Sequence, residues 1–477
     1  MRDAIWPQPL LDTIVARGTE PLFELGDRIV SGDEMTAMIR RVAAGLRAGG
    51  VGPGDGVVLH LGVSPEAFAV IVAAFAVGAR VTGVRADQLE HVLSTSGGRL
   101  IDESSLTGLL TSPDDGLPLT AAGRPAAVAW ILYTSGSTGQ PKGCCRTYAA
   151  ISQGWNAYPD RWPPAIREIA SGLGRFLVFG SLSSAVMLEY SVLALTAGGV
   201  LVAADPPIYP EALSRLQATA GVITVGRLHQ LVRAQRERPE DLSRLRALMV
   251  SGSPLEPRRL AEALEVLGPV IFHEYGQTET GPIAMITPAE LTARPDLLSS
   301  VGQPPPGVAV EVRGGELFVR TPAQAQFYWD DPAESAEVFV DGWVRTRDLA
   351  EIRLDGYLRL SGRARDVIIV QAELVYAGPI ERALASHRAV AEAYVIGRPD
   401  EDSGEAVHAF VVPEPGQVPP VEELRALVRD RLGPKAVPQT VTFVDAVPLT
   451  PNGKPDKKAL DPYRATPSSR TGHGTAR

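Results

Sequence analysis

From Gly26 to about Val225 the chain alternates short apolar, β-branched runs with amphipathic stretches, and this alternation constrains the fold most. "GVVLHLG" (56–62), "RFLVFG" (175–180), "GVLVAAD" (199–205) and "GVITVG" (221–226) read as short buried strands. "MTAMIRRVAAGLRAGG" (35–50) places apolar residues at helical spacing and stops at glycines. "ALMVSGSPL" (247–255) and "PVIFHEYGQTE" (269–279) repeat a strand-then-loop design. Such alternation predicts an α/β fold of mostly parallel sheets covered by helices, with ligands at the loops after the strands' carboxyl ends.

Around residue 301 the texture changes. "VGQPPPGVAVEVRGGELFVRTP" is strand punctuated by glycine and proline, which predicts a β-rich subdomain at about 301–361. After "DGYLRLSGRARDVIIV" (355–370), the helix "GPIERALASH", the strands "AEAYVIG" and "AVHAFVVP" and the helix "VEELRALVRDRLG" compose a small α+β unit. The expected organisation is a large N-terminal domain, 1–361, a small C-terminal domain, 362–464, and a disordered tail, 465–477. A net charge of −9 without a basic block argues against nucleic acid as a partner. "FAVIVAAFAVGARV" (68–81) is too short to span a membrane and reads as a buried helix. With no signal-peptide pattern and only Cys144 and Cys145, the expectation is a soluble, cytoplasmic protein in a reducing compartment. The seven histidines show no metal-ligand spacing.

The apolar run "AVAWILY" (127–133) opens into "YTSGSTGQPKG" (133–143). Thr134, Ser135, Ser137 and Thr138 can donate to phosphate oxygens. Gly136 and Gly139 permit turns that aim backbone N–H groups at an anion. The Walker-type loop needs lysine directly after glycine, but Lys142 follows Pro141, and no G-x-G-x-x-G follows a strand either. Only five of the 46 lysines and arginines are lysines: Lys142, Lys435, Lys454, Lys457 and Lys458. A lysine retained in so arginine-rich a chain suggests a task that a forked guanidinium cannot perform. Lys457 and Lys458 read as solvated surface charge. Cys144 and Cys145 sit just past the loop, either packed beneath it or available as nucleophiles.

"YTSGSTGQPKG" resembles the signature loop of the AMP-forming adenylate ligases, which include acyl-CoA synthetases, peptide-synthetase adenylation domains and firefly luciferase. Four further segments recur in the family's order: "YGQTE" (275–279), "GWVRTRDLAEI" (342–352), "GRARDVII" (362–369) and "PLTPNGKPDK" (448–457). The resemblance covers roughly Leu22 to Arg464. It implies the reaction carboxylate + ATP → acyl-AMP + pyrophosphate, followed by acyl transfer to a thiol of CoA or of a carrier-protein phosphopantetheine. A small carboxylic acid is then the substrate, and an acyl or peptidyl carrier protein a candidate partner.

The resemblance also implies roles. Thr134, Ser135, Gly136, Ser137, Thr138, Gly139 and Lys142 would hold the β- and γ-phosphates. Tyr275, with Gly276 and Gln277, would lie against the adenine, and Gly252, Ser253 and Pro254 would shape its other side. Thr278 would contact the α-phosphate, Glu279 would hold Mg2+, and Asp348 with Arg363 would bind the ribose. Lys454 would neutralise the attacking carboxylate and the α-phosphate together. Phe179, Ser181, Ser183, Ala185, Gly252 and Gly281 would line the acyl pocket, and Arg365 would stand at the hinge of a mobile C-terminal domain.

Three departures qualify this picture. Arg347 stands where the family has the glycine of Thr-Gly-Asp, so either its φ is negative or strain is stored. "VQAELVY" (370–376) has Gln371 and Ala372 where CoA ligases carry paired glycines, which raises the standing of a carrier protein over free CoA. No acidic residue lies between Phe179 and Leu188, where amino-acid-activating relatives keep an aspartate, so an α-amino acid is disfavoured. Hydroxybenzoate-activating relatives have His-Asn before "PLSS"; here Val178-Phe179 precede "GSLSS". A largely apolar acid, aryl or short-to-medium acyl, is the expected substrate.

Overall fold

The computed structural model describes residues 4–134, 141–154, 162–204, 208–449 and 455–460, and the chain divides into two compact units between Leu360 and Ser361.

The larger unit is built on two helix-covered sheets. One has eight strands, ordered Gly281–Ile286, Ile271–Gln277, Ala247–Ser251, Ala220–Thr224, Arg175–Val178, Val200–Ala203, Pro21–Leu25 and Arg28–Ser31. Its inner pairs are parallel and only the pairs at its two edges are antiparallel. The other has six strands, ordered Phe327–Tyr328, Lys142–Thr147, Val128–Thr134, Arg80–Gly83, Gly56–His60 and Arg99–Asp102. The parallel interior follows from the run-helix-run pattern, since each crossover needs a helix to return the chain. The first 203 residues supply most of one apolar core, in which helix Pro65–Ala76 is buried almost all round. No helix among the described residues is long and apolar enough to cross a membrane. A third, mainly antiparallel sheet of Ala309–Arg313, Glu316–Arg320, Trp343–Ile352 and Phe339–Val340 forms the β-rich region, and strand Leu358–Arg363 pairs with Trp343–Ile352.

In the smaller unit, strands Glu373–Tyr376, Val367–Val370, Gly404–Pro413 and Val390–Asp400 form a sheet, and Thr440–Phe443 pairs in parallel with Gly404–Pro413. Helices Ala377–Ala385 and Val421–Leu432 pack on it through Ile380, Leu384, Leu424 and Val428. Gln371 and Ala372, which link the first two strands, adopt φ of 51° and 63°. This is the left-handed region, where a Cβ costs energy.

Candidate functional site

Strand Val128–Thr134 is answered by the antiparallel strand Lys142–Thr147, with Thr134 directly opposite Lys142. The segment between them is therefore anchored at both ends. Ser135, Gly136, Ser137, Thr138 and Gly139 lie outside the described residues, as does Lys454.

The Lys142 ammonium is 2.7 Å from Glu334 Oε1. The same oxygen accepts a hydrogen bond from Arg347 Nη1 at 2.5 Å, and Arg347 Nη2 donates to Glu337 Oε2 at 2.9 Å. Burial alone would raise the Glu334 carboxyl, but hydrogen bonds from Arg347 and Lys142 outweigh it and hold the pKa down at about 2. Arg347 has φ of 59°, which settles the dihedral question: the backbone keeps the glycine-like conformation. Holding a non-glycine residue there costs about 1–3 kcal/mol. Glu334 was not anticipated from the sequence. It follows Asp331, whose side chain accepts from Glu334 N, and Pro332 at the start of helix Pro332–Val338; that capping pattern is readable, but its cationic partners are not local.

Strand Ile271–Gln277 and its hairpin partner Gly281–Ile286 carry the second group. Tyr275 Oη donates to Asp348 Oδ2 at 2.5 Å, and Gln277 Nε2 donates to the same oxygen at 2.6 Å and to the Thr346 carbonyl at 3.0 Å. Asp348 is only 4% exposed, so motifs 71 to 73 residues apart in sequence share one buried carboxylate. Gly276 is exposed beside the buried Tyr275. In the turn, Glu279 Oε1 accepts from Tyr328 Oη at 2.6 Å, and the Thr278 carbonyl accepts from Arg146 Nη2 at 2.9 Å. Tyr328 and Arg146 are further residues the sequence reading missed. The Cys144 thiol contacts the Thr278 carbonyl at 3.5 Å, and both cysteines are buried. Beyond strand Ala247–Ser251, Gly252 takes φ of 97° and is exposed, followed by Ser253 and Pro254.

Most of the residues expected to line an acyl pocket follow strand Arg175–Val178. Phe179 packs edge-on against Tyr209, with centroids 5.5 Å apart, and the Ser181 and Ser183 hydroxyls are 2.9 Å apart. Ser183 sits so tightly against Gly83 that a Cβ there would stand 2.1 Å from its Oγ. Ala185 opens helix Ala185–Thr196, which is capped by the Ser184 side chain. Gly281 is buried with φ of 74°.

In the smaller unit, Arg363 and Arg365 are exposed at and just beyond the end of strand Leu358–Arg363. Lys457 is not the free surface charge its setting in the sequence suggested. Its ammonium lies 2.8 Å from Asp366 Oδ2 and 2.7 Å from Glu381 Oε1. Burial works against that charge, yet the two carboxylates prevail and raise its pKa.

Comparison with known proteins places the chain in a family. Residues 15–329 match the model of the AMP-binding enzymes, and residues 379–454 match that of the AMP-binding enzyme C-terminal domain. A fatty acid–[acyl-carrier-protein] ligase of Streptomyces coeruleorubidus, ScoC, is 31% identical over 91% of this chain and 92% of its own. A feruloyl-CoA synthase from an Amycolatopsis species is 32% identical over 88% of this chain and 91% of its own. The solved structure of the amide bond synthetase McbA from Marinactinospora thermotolerans superposes with a TM-score of 0.83 at 32% identity, covering 96% of this chain and 99% of that one.

Proposed function

The chain belongs to the AMP-binding enzymes, and from that premise we propose how it works as an acid:thiol ligase. It activates a carboxylic acid with ATP as an acyl-adenylate, releases pyrophosphate and passes the acyl group to a thiol. The observation that carries the assignment of roles is the convergence of Tyr275 and Gln277 on Asp348 within one unit that also holds Lys142.

In the first step a carboxylate oxygen attacks the α-phosphorus and the bond to the pyrophosphate oxygen breaks. Two anions must approach, so catalysis consists of positioning and charge neutralisation. Lys142 leaves Glu334 for the β- and γ-phosphates, and Arg347 stays behind to keep that carboxylate paired. Asp348 accepts from the ribose hydroxyls, with Arg363 assisting, while Tyr275 and Gln277 fix the carboxylate's orientation. Thr278 contacts the α-phosphate. Lys454 is the cation between the carboxylate and the α-phosphate, and the smaller domain that carries it, about 362–464, moves at Arg365 between the two steps.

Glu279 is the residue that would hold Mg2+. Its carboxylate is a hard oxygen donor, and no cluster of three or more His, Cys, Asp or Glu side chains able to hold a metal occurs among the described residues. One carboxylate with substrate phosphates suits Mg2+, which when bound neutralises phosphate charge. Tyr328 keeps one Glu279 oxygen fixed.

ATP–pyrophosphate exchange across a panel of carboxylic acids tests this reading. We expect exchange with at least one aryl or short-to-medium acyl acid and none with α-amino acids, and a loss of about 10²–10³-fold in Lys454→Ala. Exchange that survives in that variant removes Lys454 from its role. A second reading concerns the acceptor. Gln371 and Ala372 hold left-handed positions where CoA ligases have glycine, and an amide bond synthetase is 32% identical over nearly the whole chain. Both favour an acceptor other than free CoA: a carrier-protein thiol or an amine. Offering the adenylate CoA, a phosphopantetheinylated carrier protein and a primary amine in parallel decides among them.

A further inference from the structure

Arg347 lies on strand Trp343–Ile352 between the buried Thr346 and Asp348, at a φ of 59° that glycine takes freely and arginine does not. Glycine would be the less strained residue there, so the arginine side chain supplies something that offsets the backbone cost. What it reaches is the partner of the phosphate-loop lysine. Its Nη1 shares Glu334 Oε1 with the Lys142 ammonium, at 2.5 and 2.7 Å. Its Nη2 donates to Glu337 Oε2 at 2.9 Å, so the guanidinium is held between two carboxylates.

Glu334 is fixed as well. Its helix, Pro332–Val338, is capped by Asp331, and Ser335 Oγ accepts from the Tyr328 backbone N at 2.9 Å, which ties the helix to strand Phe327–Tyr328. Lys142 has a second neighbour: its ammonium lies 5.7 Å from the centroid of the Tyr328 ring, whose hydroxyl donates to Glu279. A carboxylate oxygen and a phosphate oxygen are the same kind of partner for an ammonium. Glu334 and the phosphates of ATP would therefore compete for Lys142. When Lys142 turns to a phosphate, it leaves behind a carboxylate whose side chain is only 14% exposed. Arg347 lowers the cost of that step, because it keeps the same oxygen hydrogen-bonded.

We infer that Glu334 is a built-in competitor of ATP for Lys142, and that Arg347 is a positioning residue that weakens the competitor's grip and so sets the affinity for the triphosphate. This rests on the assignment of Lys142 to the β- and γ-phosphates and adds what governs its availability. The two side chains then act with opposite sign. Loss of the Glu334 charge frees Lys142, whereas loss of Arg347 leaves Lys142 and Glu334 more tightly bound to each other.

Calorimetric titration of the full chain with ATP and with AMP, each in excess Mg2+, tests this. The readout is the ratio of the AMP to the ATP dissociation constant, in which a disturbance of the neighbouring Asp348, acting on both nucleotides through the ribose, cancels. Arg347→Gly is expected to lower the ratio about tenfold or more, although glycine suits the backbone there, and adding Glu334→Gln to it is expected to restore the ratio. Glu334→Gln alone is expected to raise the ratio about threefold or more. A ratio unchanged in Arg347→Gly, a loss that the added Glu334→Gln leaves unrepaired, or a ratio lowered in Glu334→Gln overturns the inference and leaves the ligase assignment standing. Lys142→Ala is expected to collapse the ratio towards one; if the ratio does not move, Lys142 is not the phosphate lysine and both assignments fall. Should Glu334→Gln fail to fold, Arg347→Gly decides alone, since it relieves backbone strain.

Discussion

The side of the larger unit proposed to hold the nucleotide and the region proposed to flank the acyl group treat their buried charges in opposite ways. On the nucleotide side the charges are mutually engaged: Lys142 and Arg347 share Glu334, Tyr275 and Gln277 share Asp348, and Tyr328 holds Glu279. On the other, among the described residues, the Glu274 side chain has one stretched hydrogen bond, and Arg146 Nε has no partner although its Nη2 donates to the Thr278 carbonyl. A site for a ligand with fixed, known charges can keep its groups paired with each other and exchange those partners when the ligand arrives. A buried carboxyl with few partners instead gives up its charge, and burial pushes Glu274 up to about 8.

Three experiments bear on this contrast. The largest effect is expected from Asp348→Ala, which should lower kcat/KM for ATP by about 10²-fold while leaving the KM of the acid nearly unchanged. An equal shift in the acid's KM would dissolve the division into two sides. Glu334→Gln comes next. It leaves Lys142 and Arg347, each 13% exposed, without their shared anion, and should reduce unfolding stability by about 1–3 kcal/mol in urea at neutral pH.

The smallest effect is a pH slope. The Glu274 carboxyl is raised from 4.5 to about 8, so between those values the folded state holds more protons than the unfolded one. Stability must then fall as pH rises through that window, and Glu274→Gln should flatten the slope of Tm against pH. Glu334 has the opposite sign. Its carboxyl is depressed from 4.5 to about 2, so its contribution is complete above 4.5 and is lost as pH falls towards 2. The two sides of the unit should therefore weaken at opposite ends of the pH range.

The sheets were legible because burial on both faces forces apolar strands, and helical crossovers force amphipathic ones; both patterns survive in a single sequence. The nucleotide motifs were legible for a related reason. "YGQTE" and "TRD" are contiguous, because a short loop presents several groups to one ligand at once. Glu334, Tyr328 and Arg146 were not legible, since each serves a partner 49 to 192 residues away and nothing local points to that partner. The dihedral of Arg347 stayed open for another reason: the sequence showed the missing glycine but not the two glutamates that hold the substitute. Glu274 lies in a segment quoted for its tyrosine, and only its burial beside the Tyr190 hydroxyl of another element reveals the carboxylate as unusual. Lys457 was misread because its anions, Asp366 and Glu381, are distant in sequence.

The two cysteines carry a last consequence. A mixed anhydride of a carboxylic acid and AMP is a strong electrophile, and in a ligase of this kind the intended acceptor is itself a thiol. Cys144 lies beside the Thr278 turn, where that anhydride would form by the proposed reading, and Cys145 is its neighbour on the same strand. Burial pushes the thiol of Cys145 up to about 12 and that of Cys144 well above its ordinary value, so neither offers a thiolate. Held as neutral thiols, the chain's own sulfurs compete poorly for an activated acyl group, which is left to an acceptor that arrives from outside.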